Sequence, residues 1–325
     1  MSSIALFIDS TTVMPAGFVE RYGVTVLPVP IYAGGREYRD GVDITEEQFC
    51  DLLEALKERP TTAVPGLGEF VSYYEALLRR HDHVVYAVPT VKLTGLFNAA
   101  IQAAKQVPRA TVIAVDPPLG WKEEAHVLRS DSTALEEDIR GLRCAEGPTI
   151  TVVDTGFVAA GVGMILAEAL QATQQGVGLD DFLRSIIAAK ARTGVCFVLS
   201  SLEYIVDRIG KLQAFLGTLL HIVPVLTLRA GDIEDAARVR SRSKARKVMI
   251  ELLQRGAAGS AVDVFVMHSL VPEEAAGFLE EVKGVVQVRH AYVGSVGSAI
   301  SRYTGRGGLG LAFTRLDGQR PSELA

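Results

Sequence analysis

Two junctions between a predicted strand and a predicted helix carry threonine hydroxyls, which can hold an anion without forming an ion pair. Thr62 lies between Pro60 and Pro65, and Thr94 is followed directly by Gly95. Hydroxyl groups together with the free N–H groups of a helix start make an anion site. Threonine is also a common helix cap, and capping is the simpler role for each residue taken alone. The two threonines therefore predict either an anion site or two capped helices.

Polar residues also follow the first apolar run of the chain. Ile4–Ile8 is typical of a buried strand, and Asp9, Ser10, Thr11 and Thr12 come directly after it. At the carboxyl end of a parallel strand, such side chains point into the ligand crevice of a doubly wound sheet. The alternative is that Asp9 or Ser10 only caps the next turn. The residues alone leave both readings open.

A basic segment runs from Arg238 to Lys247 and also contains Arg240, Arg242, Lys244 and Arg246. If Arg238–Arg242 is a strand, its three arginines share one face. Such a face can bind a phosphate or an acidic partner. The alternative is a solvated strand edge that its charge protects from pairing with another strand.

Several other patterns point away from catalysis and from a metal. Gly305, Gly307 and Gly310 spell GxGxxG, but a strand is predicted after them where a dinucleotide site needs a helix. His81 and His83 form an HxH pair without a third ligand at a fitting spacing, so we predict no metal site. The chain has no phosphate loop, no GxSxG motif and no Ser-His-Asp order. We expect a protein that carries a ligand, with no catalytic residues of its own.

Short apolar strands alternate with helical patterns through the first half of the chain. The predicted strands are Ile4–Ile8, Val24–Ala33, Val84–Val88, Thr111–Val115 and Ile150–Val153. Such alternation predicts a mostly parallel sheet with helices on both faces. One helix is well marked, because Thr45 and Gln48 can form a capping box before an apolar stripe that ends ahead of Pro60.

Two stretches of the first half resemble each other. They start at Ala110 and Pro148, and each is typical of a buried strand that ends in aspartate. Two copies are too few for a repeat architecture. We interpret residues 111–148 as an insertion with its own strand and a helix at Asp131–Arg140, which Ser130 or Asp131 could cap.

The pattern changes after about residue 175. Strands are predicted at Val195–Leu199, Val225–Leu228, Val262–Met267, Val285–Val293 and Leu309–Phe313, with fewer long helices between them. The sequence predicts an α/β protein with an N-terminal domain over residues 1–177 and a mixed or antiparallel α/β domain over residues 178–325. The cleft between domains is the expected ligand site.

Composition narrows the class of protein. A formal net charge of -5 argues against nucleic-acid binding, which needs a basic surface. Cys50, Cys144 and Cys196 form no CxxC pair, which predicts reduced thiols rather than disulfides or a zinc site. No apolar run reaches the about 20 residues that a membrane span needs, and the start has no basic leader. We therefore expect a soluble, cytoplasmic protein.

The order of several segments carries more information than any one of them. These are DSTTVMP from Asp9, PTTAVPGLGEF from Pro60, KLTGLFNAA from Lys92, RVRSRSKA from Arg238 and GRGGLGLAF from Gly305. Together they resemble the DegV family of bacterial fatty-acid-binding proteins, and the resemblance covers nearly the whole chain outside residues 111–148.

This resemblance implies a two-domain DegV-like fold with a tunnel that holds one long-chain fatty acid and with no cofactor. It also implies a partner, a fatty acid kinase that converts the presented carboxylate into an acyl phosphate. The family's two head-group hydroxyls fall on Thr62 and Thr94, and Tyr303 stands where the family has a histidine. Asp9, Ser10 and Gly95 are candidates for residues that position the ligand-binding side chains without contacting the ligand themselves.

The chain departs from the family pattern at several positions. Ala63 and Val64 replace two polar side chains after Thr62, and Leu96 replaces a threonine. Tyr303 can donate a hydrogen bond but offers no cation, which puts the pH dependence of binding in question.

The resemblance leaves two points open. Arg208 lacks the two glycines that precede it in the family, and with Arg238, Arg240 and Arg242 it is a candidate contact for a partner or a phosphate. The competing hypothesis for the whole chain is a free-standing hydrolase or phosphotransferase. It would act on a small acidic or phosphorylated substrate at the cleft, through Asp9, Ser10 and Arg208.

Overall fold

The structure is a computed structural model and describes residues 3–121, 125–142, 147–173, 177–205 and 222–316. The elements of its first half are β1 (Ile4–Asp9), α1 (Phe18–Tyr22), β2 (Thr25–Leu27), β3 (Pro30–Ala33), β4 (Arg36–Arg39), α2 (Glu46–Ala55), β5 (Thr61–Thr62), α3 (Leu67–Leu78), β6 (His83–Val88), α4 (Leu96–Ala104), β7 (Thr111–Val115), β8 (His126–Leu128), α5 (Leu135–Gly141), β9 (Thr149–Asp154) and α6 (Ala160–Thr173). The second half contains α7 (Leu179–Lys190), β10 (Thr193–Val198), β11 (Val223–Arg229), β12 (Asp232–Val239), α8 (Arg242–Ala257), β13 (Val262–His268), α9 (Pro272–Lys283), β14 (Val288–Ser295), α10 (Gly297–Thr304) and β15 (Leu309–Arg315).

The first half builds a six-stranded parallel sheet in the order β2-β1-β6-β9-β7-β8. Its four inner strands, β1, β6, β9 and β7, are buried almost along their whole length, because helices cover both faces. One face packs against Phe70 of α3 and Phe97 of α4, and the other against Ile165 of α6 and Phe182 of α7. The predicted parallel sheet with helices on both faces is confirmed.

The second sheet is mixed, in the order β12-β11-β10-β15-β13-β14. Only β13 and β14 pair in parallel among its described neighbours. Helices α8 and α9 cover one face through apolar side chains such as Met249 and Phe278. This confirms the mixed second α/β sheet. Long helices are nevertheless present in this half, since α8 spans 16 residues.

Helix α6 lies between the two sheets and contributes to the apolar clusters on both sides. Glycines let it pack closely. A Cβ at Gly163 would lie 1.9 Å from the carbonyl oxygen of Val13, and one at Gly161 would lie 2.7 Å from a methyl of Val195. Gly161 and Gly163 therefore let α6 approach Val13 and Val195 more closely than residues with side chains would allow.

A small antiparallel sheet, β4-β3-β5, extends from the N-terminal half toward the second sheet. Helix α2 packs beside it, and the predicted capping box of Thr45 and Gln48 is present at its start. Phe49 and Leu53 of α2 form a small core with Ile31 of β3 and Ala299 of α10. The apolar stripe of α2 thus joins the small sheet to the C-terminal half.

Two predicted elements have other bounds in the structure. The predicted strand Val24–Ala33 is two strands in different sheets, β2 and β3, because pairing with β1 ends at Leu27 and the next residue, Pro28, has no N–H for a ladder. The helix predicted at Asp131–Arg140 begins later, at Leu135. Ser130 does not cap it, since its hydroxyl binds Asp116 instead.

Residues 111–148 contribute two strands to the sheet, where one was predicted. β7 pairs with β9, and β8 pairs with β7 at the sheet edge. The domain boundary at 177/178 stays a prediction. Because Leu183 and Ile186 of α7 belong to the apolar core of the first sheet, the packing favours a division after α7.

In the part of the chain that the structure describes, no helix combines the length and the apolar character needed to cross a membrane.

Candidate ligand-binding site

A cavity of about 450 Å³ lies between the two halves of the molecule. This volume falls within the range of about 300 to 1,000 Å³ that is usual for small-molecule sites. Its walls are mostly apolar and come from both halves, including Val29, Val64, Leu93, Phe197, Met267 and Ile300. The cavity therefore suits a ligand with a large apolar surface.

Thr62 and Tyr303 meet at the wall of this cavity. Their side-chain oxygens lie 2.8 Å apart, although the residues are 241 positions apart in the sequence. Thr62 is held on β5, where it pairs with Ile31 of β3. The structure thus brings together two of the three residues predicted to bind the head group of a ligand.

The position of Tyr303 depends on the glycine that ends α10 and on a hydrogen bond that holds this helix against α2. Gly305 follows the helix with a φ of 63°, and a Cβ there would lie 2.3 Å from the ring of Tyr204, so glycine is required. On the opposite domain, Glu46 accepts a hydrogen bond from the Ser301 hydroxyl at 2.6 Å. Helix α10 is therefore fixed against α2, and its last turn points Tyr303 toward Thr62.

Thr94 also lines the cavity. Its hydroxyl oxygen accepts a hydrogen bond from the backbone N–H of Leu96 at 3.3 Å, at the start of α4. This bond uses the oxygen and not the proton of the hydroxyl, so capping and ligand binding are compatible. Gly95 brings Thr94 close to the loop after Thr62, since a Cβ at Gly95 would lie 3.4 Å from Val64 Cγ2. We call Thr62, Thr94 and Tyr303 the hydroxyl set.

Asp9 and Ser10 do not line the cavity but bind residues that do. The buried Asp9 carboxylate, with 0% exposure, accepts hydrogen bonds from the N–H and hydroxyl of Thr11 and from Tyr86 at 3.1 Å. Burial raises the pKa of Asp9, and these hydrogen bonds oppose that rise. Ser10 accepts a hydrogen bond from the N–H of Val29 at 3.0 Å. Both therefore position Thr11 and Val29 at the cavity wall.

Arg302 is a residue of this site that the sequence analysis did not find. It is only 9% exposed and lies on α10 directly before Tyr303. Its guanidinium donates to the carbonyl of Pro60 at 2.8 Å and to that of Tyr204 at 2.7 Å. It also lies over the ring of Tyr303, 4.8 Å from the centroid. No sequence pattern separates this buried arginine from the exposed ones.

Three further polar residues, Thr11, Lys92 and Thr304, line the cavity. Thr11 belongs to the polar stretch after the first strand that was expected to face the ligand crevice, whereas Lys92 and Thr304 were not predicted as site residues. Lys92 is the charged side chain among the described lining residues, but it is 44% exposed and forms an ion pair with Asp232. It therefore lies at the rim, where water screens its charge.

The basic segment does not form the predicted face. β12 ends at Val239, and Arg242 already belongs to α8, because the Ser241 hydroxyl caps that helix. Arg242 donates two hydrogen bonds to Glu274, at 3.1 and 2.8 Å, and Arg238 binds Asp235. None of the segment lines the cavity.

Two other predicted features can be placed only in part. Arg208 lies outside the residues that the structure describes. The GxGxxG pattern leads into β15 and not into a helix, which confirms that it is no dinucleotide fingerprint.

Comparison with known proteins decides the family. A family model described as "Uncharacterised protein, DegV family" matches residues 3–316. The chain belongs to the DegV family. This DegV protein is 27% identical, over 316 residues, to a DegV domain-containing protein of Streptomyces coelicolor, an alignment that covers 96% of this chain and 98% of that protein.

Solved structures of the DegV family share the fold. A DegV family protein of Thermus thermophilus, described by its fatty acid binding, is 29% identical, with a TM-score of 0.79 over 97% of this chain and 100% of that one. A stearic-acid-binding protein of Eubacterium ventriosum is 21% identical, with a TM-score of 0.74 over 97% of this chain and 98% of that one, which shows the fold alone.

Proposed function

We propose that this DegV protein binds one long-chain fatty acid in the interdomain cavity, with the carboxylate at the hydroxyl set. The observation that carries this proposal is an apolar cavity whose wall presents the hydrogen-bonded pair of Thr62 and Tyr303. The fatty acid binding described for the Thermus thermophilus relative and the stearic acid binding described for the Eubacterium ventriosum protein support it.

The acyl chain can supply the affinity. A sixteen-carbon chain buries about 15 carbons at ~0.8 kcal/mol each, on the order of 12 kcal/mol before the costs of ordering and association. The cavity walls that receive it are aliphatic and aromatic, as at Leu93, Phe197 and Met267. A ligand with a short or polar chain would gain much less free energy from burial in this cavity.

The hydroxyl set can satisfy the carboxylate. An ionised carboxylate taken from water without partners costs several kcal/mol, so donors must replace its hydration. Thr62 and Tyr303 carry two hydroxyl protons, and their mutual bond uses one. When Tyr303 donates to Thr62, the Thr62 proton, together with the proton of Thr94, can be donated to a carboxylate in the cavity. Both ligand oxygens then have a donor without a direct ion pair.

We further propose that the bound carboxylate is presented to a fatty acid kinase. Hydroxyl donors leave lone pairs on the carboxylate, so one oxygen can attack the terminal phosphoryl group of a nucleoside triphosphate held by the kinase. The bond from that phosphorus to the nucleoside diphosphate breaks, the diphosphate leaves, and an acyl phosphate is formed. In this scheme the DegV protein contributes binding and orientation, and the kinase contributes the nucleotide site and the catalytic groups. The kinase-contact role of Arg208 and of the basic segment stays a prediction.

Asp9 and Ser10, the two described residues that the competing hydrolase or phosphotransferase hypothesis invokes, give it no support in their geometry. Asp9 is buried behind Thr11, and its oxygens are already engaged by Thr11 and Tyr86. The Ser10 hydroxyl oxygen receives the N–H of Val29. Neither side chain lines the cavity in which a substrate would lie.

The proposal is tested by extracting the purified protein with organic solvent and titrating the delipidated protein with palmitate. We expect fatty acid in about equimolar amount and saturable binding. Leu93→Trp should abolish binding, because the larger side chain fills the cavity, and Leu119→Trp is the matched control at a residue that is 95% exposed. The proposal fails if no fatty acid is extracted and if palmitate binds equally to both variants.

A further inference from the structure

The turn of the β11–β12 hairpin lies against the N-terminal half of the molecule at the rim of the cavity. The hydroxyl of Thr90, which is 0% exposed, donates a hydrogen bond to the carbonyl oxygen of Gly231 at 3.1 Å. Beside this bond Lys92 pairs with Asp232, and their side chains are 44% and 58% exposed. We call Thr90, Lys92, Gly231 and Asp232 the hairpin contact.

The hairpin contact adjoins the cavity wall on both sides. In the N-terminal half Leu93 follows Lys92, and both residues line the cavity. On the hairpin Ile233 follows Asp232 and lines the cavity as well. Movement of the turn away from Thr90 would therefore withdraw Ile233 from the wall and widen the cavity at its rim.

The turn itself has an unfavourable backbone conformation. Its two central residues, Ala230 and Gly231, lie between the paired residues Arg229 and Asp232 and have φ values of 46° and 84°. Hairpins of this kind favour glycine, asparagine or aspartate at such positions, and alanine is disfavoured there. Strained backbone persists where the surroundings hold it, and it is common in segments that switch between two arrangements.

Gly231 is required for the close approach of the turn to the N-terminal half. A Cβ at this position would lie 2.4 Å from the hydroxyl oxygen of Thr90, which is closer than side chains tolerate. The Thr90 loop is in turn held in its own half, because the N–H of Thr90 donates to the carbonyl of Phe157 at 2.9 Å. The hairpin is thus the partner that can move.

Elsewhere around the cavity the two halves are joined by buried contacts. Glu46 of α2 accepts a hydrogen bond from Ser301 of α10, and Asp40 accepts one from the N–H of Ala299 at 3.2 Å. Phe49 of α2 shares an apolar core with Ala299. The hairpin contact instead includes an exposed ion pair, and β12 alternates exposed and half-buried residues. Segments with such contacts open at a lower free energy than buried ones.

We propose that the hairpin contact is a gate, which opens at the β11–β12 turn to admit or release the ligand and closes over the bound chain. This inference rests on the proposed function. Association and dissociation both pass through the open state, so a weaker contact should speed both rates and leave the dissociation constant nearly unchanged. Loss of a residue that only contacts the ligand would lower the affinity instead.

The gate can be locked covalently, because a Cβ at Gly231 would lie 3.4 Å from the Cβ of Thr90, close to the about 3.5 to 4.5 Å found in disulfides. The variant with Thr90→Cys and Gly231→Cys is compared before and after oxidation with diamide, and non-reducing peptide mapping verifies the new bond. The variant with Thr90→Ser and Gly231→Ser is the matched control, since it cannot cross-link. Each protein is loaded with radiolabelled palmitate, and its release into excess unlabelled palmitate is followed.

We expect the oxidised double cysteine variant to release palmitate at least about tenfold more slowly than the same protein when reduced, and reductant should restore the faster rate. Diamide should not change the rate of the serine control. Asp232→Asn should speed association and release by about two- to fivefold, because an exposed ion pair contributes little. Thr90→Val should speed both by about tenfold, since it leaves a buried carbonyl unpaired in the closed state.

The gate is overturned if the oxidised and reduced forms of the cross-linked variant release palmitate at the same rate. If that variant does not fold or does not cross-link, Asp232→Asn and Thr90→Val decide, and unchanged release rates in both refute the inference. A lower affinity in both variants with unchanged association would also refute it. Wild type that binds no palmitate would instead refute the proposed fatty acid binding.

Discussion

The sequence indicates a function for two regions, the hydroxyl set and the basic segment. The structure brings the hydroxyl set together around one cavity, whereas it divides the basic segment between a strand and a helix. Thr62, Thr94 and Tyr303 come from distant parts of the chain and line one cavity. Arg238 and Arg242 are neighbours in sequence, yet they separate onto a strand and a helix and bind acidic residues. Proximity in sequence was the wrong guide for the arginines.

For Arg242 and Thr94 the difference lies in where the hydrogen-bond partner comes from. Glu274, which accepts two hydrogen bonds from Arg242, belongs to α9, 32 positions away, and no local pattern connects the two. Thr94 is instead placed by the local backbone, as its hydrogen bond from the N–H of Leu96 shows. The short neutral side chains stay at the cavity wall, while the long charged ones reach other charges.

The largest effect is expected when two members of the hydroxyl set are removed. Thr62→Val and Thr94→Val should each weaken palmitate binding by roughly ten- to a hundredfold, because each loses a hydrogen bond to a charged group worth about 1.5 to 3 kcal/mol. The double variant should lose more than either single variant. Isothermal titration calorimetry of the delipidated proteins measures these affinities.

Thr61→Val is the matched control for these variants, since Thr61 is exposed and precedes Thr62 on the same strand. It should bind palmitate as wild type does. A double variant with unchanged affinity and a normal circular dichroism spectrum would place the head-group site elsewhere in the cavity.

Tyr303→Phe should have a smaller effect, about tenfold. The ring and its stacking on Arg302 remain, but Thr62 loses its partner and the ligand can lose a donor. Tyr303→His should restore part of the affinity and add a dependence on pH near about 6 to 7, where imidazole titrates. Titrations across this range measure it, and equal affinity of wild type and Tyr303→Phe would show that the phenol does not contact the ligand.

Much of the fold could be predicted because its signals are local. The buried strands, the capping box of Thr45 and Gln48 and the change from a parallel to a mixed sheet all follow from residue patterns over a few positions. The break at Pro28 was missed because apolar residues continue across it while the chain passes to another sheet. The residues of the hydroxyl set were located by family resemblance, and the structure places them around one cavity.

Arg302 could not be predicted, because its burial depends on contacts that the sequence does not display. The carbonyls of Pro60 and Tyr204, which accept hydrogen bonds from it, are 242 and 98 positions away. An arginine beside Tyr303 with Arg306 close behind has the composition of a surface segment. Only the docking of α10 against the N-terminal half separates the buried arginine from the exposed one.

Asp9, which positions Thr11 at the cavity wall, should make the free energy of unfolding depend on pH. Because burial raises the pKa of Asp9, the native state keeps its proton at pH values where the unfolded chain has lost it. The free energy of unfolding should therefore fall as the pH rises from the ordinary aspartate value of 3.8 toward the raised value. Asp9→Asn removes this group, so its stability relative to wild type should increase over the same window.

Urea denaturation at several pH values measures the difference between Asp9→Asn and wild type. Asp131→Asn, at an exposed aspartate, is the control for the substitution itself. A difference that stays constant or shrinks as the pH rises would contradict the buried, proton-retaining role of Asp9.

The smallest effects on ligand affinity are expected in the basic segment, where Arg240→Ala and Arg242→Ala should both bind palmitate within about twofold of wild type. The two should differ in stability. Arg242 holds Glu274 through two hydrogen bonds at a partly exposed position, so its loss should cost up to about 1 kcal/mol. Arg240 is exposed in the turn between β12 and α8, and its loss should cost less. Thermal unfolding measures both.

Acyl phosphate formation by a kinase should depend more on Arg240 than on Arg242, which is the reverse of the order expected for stability. The guanidinium of Arg242 is occupied by Glu274, whereas Arg240 is exposed and accessible to an acidic or phosphorylated partner. With a cognate kinase, acyl phosphate formation measured at saturating palmitate should therefore slow for Arg240→Ala and stay near wild type for Arg242→Ala. Equal rates for both variants and wild type would leave the segment as a solvated edge that only stabilises the C-terminal domain. If both variants are slowed equally, Arg242 must also contact the kinase. Its ion pair with Glu274 would then break when the partner binds.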